Sequence, residues 1–147
     1  MESLLTKPLK LTTDLGLLYE EVFMVTQIPT IQIFAGVPEE LSGVSMRRGK
    51  TSGKRSAILM FEKLESLEHF RSYWKRSANA VHLIDEEGEL IIEPTGIQLF
   101  YGGPEGEELR RVECKLEIEQ EDHWERFIRF MNRYAEANSM VYGESAQ

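Results

Sequence analysis

The chain has 147 residues, 41% of them hydrophobic and 29% charged, with a single cysteine and a formal charge of −8. That length is typical of one domain able to bury a real core, and the hydrophobic share excludes a wholly disordered protein. The composition also excludes a membrane-spanning helix, which needs roughly 18 consecutive apolar residues, an internal disulfide framework or Cys-rich zinc site, and the basic balance of a nucleic-acid binder.

The charge is unevenly placed. Residues 1–27 hold two Lys and four acids, whereas Val44–Phe61 hold five bases (Arg47, Arg48, Lys50, Lys54, Arg55) and no acid. From Asp85 onward sixteen acids face six Arg or Lys. A cationic loop on an anionic body steers partners even when net charge has the other sign. The alternative is a solvated loop with no partner.

Residues 1–27 look separate from the rest. Their leucines (4, 5, 9, 11, 15, 17 and 18) keep neither a helical nor a strand period, and Pro8 and Gly16 interrupt them. The segment lacks the basic start and apolar block of a secretory signal and the Arg-rich, acid-poor character of a transit peptide. It is expected to be a poorly ordered extension, with Met24 a candidate for the native start.

From Ile28 the pattern turns to β. Ile31–Ala35 reads as a strand closed by Gly36-Val37-Pro38, Val44–Met46 as a second entering the basic loop, and Ser56–Phe61 as a third. A short helix follows, with Leu67, Phe70, Arg71 and Trp74 on one face. Val81–Ile84 and Glu89–Glu93 flank Asp85-Glu86-Glu87-Gly88, a hairpin in which Gly88 suits the positive φ of the turn. Ile97–Tyr101 continues as strand. Leu109–Glu119 is the clearest one, since Val112, Cys114, Leu116 and Ile118 alternate with charged residues.

The last element is a helix from near Asp122 to Asn138. Asp122 and Glu125 have capping-box spacing. Trp124, Phe127, Ile128, Met131, Tyr134 and Ala135 form its apolar stripe, with Phe130 at the edge. Arg126, Arg129 and Arg133 line a second row. These elements define an α+β domain: a meander-like antiparallel sheet of about five strands, the C-terminal helix on one face, and a short helix in a connection. The domain is expected to span residues 28–142, with a disordered tail at 143–147.

Chemistry-bearing motifs are sparse. Gly49-Lys50-Thr51 invites a phosphate-loop reading, but the Walker pattern needs Gly where Val44 stands, and it must open a helix where a strand follows. His69, His82 and His123 are scattered without metal-ligand spacing. Cys114 falls on the apolar side of a strand, as a buried thiol does. Asp85-Glu86-Glu87 and Glu119, Glu121 and Asp122 lie on turns. Nothing assembles a nucleophile, a base and an orienter, so no catalytic, metal or cofactor residue is assigned.

Three stretches together resemble the photosystem II reaction centre W (Psb-twenty-eight) assembly-factor family. The helix WERFIRFMNRYAE (124–136) is similar to that family's C-terminal signature, LIDEEGEL (83–90) to its hairpin, and Val44–Glu62 to its Arg-rich loop and strand, through Arg48, Lys50, Ala57, Phe61 and Glu62. Arg55 and Ser139 stand where the family carries glycines, Leu64–Ser77 is longer and more basic, and residues 1–27 have no counterpart. The chain therefore resembles a divergent paralogue.

The resemblance implies a non-enzymatic, cofactor-free factor, peripheral on the cytoplasmic (stromal) face of the thylakoid membrane. Its partners would be photosystem II core subunits and the inner chlorophyll antenna protein in assembly intermediates, with no nucleic acid. It would bind by strand addition at a sheet edge. Arg47, Arg48, Lys50, Lys54 and Arg55 would meet acidic loops or lipid headgroups, and Arg126, Arg129 and Arg133 would form a second contact, unless that row is paired with nearby acids instead. A small nucleotide-binding protein using Gly49-Lys50-Thr51 and a generic protein-binding α+β domain are the alternatives.

Overall fold

Strand β9 (Glu108–Glu117) shows how sequence period becomes architecture. Val112, Cys114 and Leu116 are fully buried, whereas Arg111, Lys115 and Glu117 are exposed. Successive side chains of a strand point to opposite faces, so one face must turn inward. The computed structural model describes residues 2–6, 28–49, 52–67 and 80–143. Besides β9 these form β1 (Glu2–Thr6), β2 (Thr30–Phe34), β3 (Val37–Glu39), β4 (Gly43–Arg48), β5 (Arg55–Phe61), β6 (Val81–Asp85), β7 (Gly88–Ile92), β8 (Gly96–Gly102), β10 (Val141–Gly143) and helix α1 (Glu121–Ala137).

The α+β class stands, with every strand pairing among the described residues antiparallel. Among the described residues the strands number ten rather than about five, and they divide into two sheets, ordered β10-β1-β4-β5-β9-β8 and β3-β2-β6-β7. One core joins both sheets and the helix, through residues such as Leu59, Phe61, Leu83, Leu116, Phe127 and Phe130. Each such side chain contributes about 1.5–3 kcal/mol on burial.

Four expectations are corrected. Glu2–Thr6 does not lie outside the domain: it is a strand between β4 and β10, and Leu5 is 1% exposed in the core. The remaining residues of the expected extension, 7–27, lie outside the described residues, as do 144–147, while Gly143 ends β10. Val37–Glu39 is a strand rather than a closing turn; the turn is Ala35-Gly36, with Gly36 at φ +88°. Phe130 is fully buried and Ile128 only half so, which rotates the helix stripe towards Phe130. The helix begins at Glu121, and its N-cap Gln120 makes no side-chain cap bond, so the Asp122–Glu125 capping box is not formed. The expected short helix falls mainly on residues 68–79, outside the described residues.

At its C-terminal end α1 stops on Ser139, which sits at φ +57°. The Asn138 amide donates to Tyr134 O (2.9 Å) and the Met140 amide to Ala135 O (2.9 Å). This six-to-one closure is a Schellman motif, with buried Met140 supplying its apolar contact.

Candidate partner-binding surface

The two arginine clusters meet different fates. In β6 the inward positions are Val81, Leu83 and Asp85, so the strand period carries a carboxylate to the core side. Its side chain is fully shielded from solvent. Helix α1 lies against β6 and meets that charge. Arg126 grips Asp85 with two parallel bonds, Nη2 to Oδ1 at 2.7 Å and Nη1 to Oδ2 at 3.0 Å, and donates to Gly88 O at 3.0 Å. Arg133 adds a bond to Asp85 Oδ2 (2.9 Å) and one to Glu87 Oε2 (2.6 Å). Arg129 holds Glu87 through Nε (2.8 Å) and Nη2 (3.0 Å).

Burial alone would raise the Asp85 carboxyl, but the bonds from Arg126 and Arg133 hold it below its ordinary value. Bonds from Arg129 and Arg133 pull Glu87 down to about 2. The row Arg126, Arg129 and Arg133 therefore clamps the helix to the β6–β7 turn. Each of its guanidinium groups bonds Asp85 or Glu87, and Arg126 also bonds the Gly88 carbonyl.

The basic hairpin between β4 and β5 is built differently. Gly49 N bonds Lys54 O (2.8 Å) and Gly53 N bonds Gly49 O (3.0 Å), with Gly53 at φ +69° closing the turn. Arg55 folds back as a brace, only 14% exposed, donating to Glu119 O (2.6 Å) and Gly53 O (3.2 Å) and lying 3.5 Å from Glu121. Arg48 pairs with the same Glu121 at 2.6 Å. The hairpin is thus pinned to the start of α1. Arg47 and Lys54 stand exposed on it, and Lys50 lies outside the described residues. A strand, β5, follows the loop, so no helix N-terminus is available to cradle a phosphate and the nucleotide reading has no geometry to support it.

Buried polar groups serve the frame. Glu39, 6% exposed, accepts from the amides of Glu65 (2.7 Å) and Ser66 (3.0 Å), and the Leu41 amide donates to Tyr134 Oη (3.0 Å). The sequence gives no pattern for Glu39 beyond its place after Pro38. His82 pairs with Glu89 across the hairpin, and His123 sits in the first turn of α1. Cys114 is buried and its thiol is pushed up to about 12 by that burial. Among the described residues no cluster of His, Cys, Asp or Glu is arranged to hold a metal, and no helix is long and apolar enough to cross a membrane.

Among the described residues the sheets end in four edges. β10 and β3 have three residues each, and β3 carries Pro38. β7 has five, including Glu89. β8, Gly-Ile-Gln-Leu-Phe-Tyr-Gly, has seven and no charge, broken only by a bulge at Phe100/Tyr101. Short strands, proline, bulges and charge are the usual guards of an edge. Of these devices, β8 has the bulge alone.

A clamped helix, a basic hairpin and two antiparallel sheets make up a small α+β protein. Residues 31–142 match the family described as Psb28 protein. The chain is 35% identical over 111 residues to the Photosystem II reaction center Psb28 protein of Synechococcus sp. (strain JA-3-3Ab), covering 76% of this chain and 95% of that one. It is 32% identical over 116 residues to that of Acaryochloris marina (78% and 96%) and 30% identical over 113 residues to that of Guillardia theta (76% and 92%). The chain belongs to the Psb28 family.

Proposed function

We propose that this protein is a non-enzymatic photosystem II assembly or repair factor. It docks transiently on intermediates containing core subunits and the inner chlorophyll antenna protein, at the cytoplasmic (stromal) face of the thylakoid membrane, and protects the immature complex. Membership of the Psb28 family carries this reading, because the relatives are named as photosystem II proteins. The open sheet edges support strand addition as the means, since an edge presents unpaired amides and carbonyls to an incoming chain.

The exposed bases of the hairpin supply orientation and on-rate. Near an anionic surface each contributes about 1 kcal/mol, so the anchor is salt-sensitive. Arg48 and Arg55 act differently, holding the hairpin in place. A tagged chain is expected to co-purify with photosystem II intermediates from solubilised thylakoids. Reversing Arg47, Lys50 and Lys54 to Glu should weaken that capture most at low salt. Undiminished capture by the reversed variant would remove the loop from the reading, and no capture by the unaltered chain would remove the docking itself.

A further inference from the structure

The edge nearest the basic hairpin is already filled. β1 pairs with β4 along its length, setting Glu2 opposite Arg47, Leu4 opposite Ser45, Leu5 opposite Val44 and Thr6 opposite Gly43. On its other side β1 carries only β10, whose three residues are all exposed. The family match begins at residue 31, so the strand that closes β4 comes from outside the matched segment. Resting on the docking reading above, we infer that the β4 edge is a strand-acceptor site, that β1 is its built-in occupant, and that an incoming extended segment binds by displacing it.

The hold of β1 is limited. Among its described side chains only Leu5 is fully buried; Ser3, Leu4 and Thr6 are half-buried. Residues 7–29 separate it from β2, and loop-closure cost grows only slowly with such a length. A longer or better matched strand therefore competes, and β1 acts as a threshold against weak partners.

The register states what the competing segment must carry. It needs a Leu-sized apolar residue at the position of Leu5, which the core would otherwise lose. The position three residues earlier lies in register with Arg47, so a carboxylate there would complement its charge. It must also pass close to Gly43, where an added Cβ would lie 3.3 Å from Leu5 O and 3.4 Å from the Thr6 methyl. The fitting partner is thus an extended acidic–x–x–leucine segment lying alongside the hairpin that bears Arg47 and Arg48. The β8 edge is uncharged but lies three strands away from those bases.

A reversible lock tests this in the full chain. Leu4→Cys with Ser45→Cys places two cysteines directly opposite each other in half-buried positions, while Cys114 stays in the core. With solubilised thylakoids as the probe, the oxidised variant should capture photosystem II intermediates at least tenfold less than its reduced form, and the reduced form should match the unaltered chain. Equal capture by both forms would overturn the assignment and point to β8. Hydrogen exchange on the free, unaltered chain gives a readout without any partner. Amides of β1 should exchange at least a hundredfold faster than those of β5 and β9, and equal protection would overturn the detachable strand. If neither the unaltered chain nor the reduced variant captures the photosystem, the docking reading fails, and exchange alone decides whether β1 is detachable.

Discussion

The helix row and the hairpin loop are both arginine-rich, yet they meet the protein in different ways. Arg126, Arg129 and Arg133 face two carboxylates presented by a neighbouring turn, one of them fully shielded, and every one of these arginines is drawn into the clamp. In the hairpin, Arg48 and Arg55 meet the exposed carboxylate of Glu121, and Arg55 also donates to the carbonyls of Gly53 and Glu119. Positive charge in a sequence is therefore no measure of what is offered to a partner. What decides is whether an acid stands across from it, and how dry that place is.

The largest expected effect lies in the clamp. Asp85→Ala leaves Arg126 without its bidentate partner in a poorly solvated place, and removing one member of a buried pair costs about 3 kcal/mol or more. In a domain of this size that lowers the melting temperature by roughly 10 °C. A melting curve within a degree or two of the parent would put the clamp on a level with the hairpin. Acid should reach the same place. Asp85 and Glu87 are both depressed in the folded state, so their stabilisation is full above their unfolded values near 3.8 and 4.5 and fades as pH falls through the depressed values, which for Glu87 is about 2. Urea midpoints should therefore drop between about pH 5 and pH 2, and less steeply in Glu87→Gln.

On the hairpin, Arg55→Ala removes charge-assisted bonds to Glu119 O and the contact with Glu121 and should cost about 1.5 kcal/mol in chemical denaturation. Ser139→Gly works in the opposite direction. It relieves a left-handed residue at the end of the clamp helix and should raise stability by about 1 kcal/mol. Lys54→Ala, exposed on the loop, should shift the midpoint by less than about 0.5 kcal/mol. A larger loss there would mean that the loop bases outside the brace also hold the fold.

The parts of the fold legible in the sequence are those in which local pattern and burial agree. The alternation of β9, the Asp85–Gly88 reversal and the apolar stripe of α1 each show their inward face in a run of residues. β1 shows none, because a five-residue strand with one fully buried leucine has no period to read, and its partners lie some forty and some one hundred and forty positions along the chain. The clamp was half visible. The acidic turn and the arginine row were each evident, but their meeting depends on how α1 packs against β6. The brace by Arg55 was hidden for the same reason, since the loop bases looked alike until Glu119 and Glu121 were brought beside them.

The order β10-β1-β4 has a consequence for how the chain is made. β1 is made before either of its neighbours: β4 lies more than thirty residues further along, and β10 follows α1. Pairings of such separation form late, after their loop entropy has been met. The nascent protein thus passes through a stage in which β4 and β5 are present while β10, the other neighbour of β1, is not.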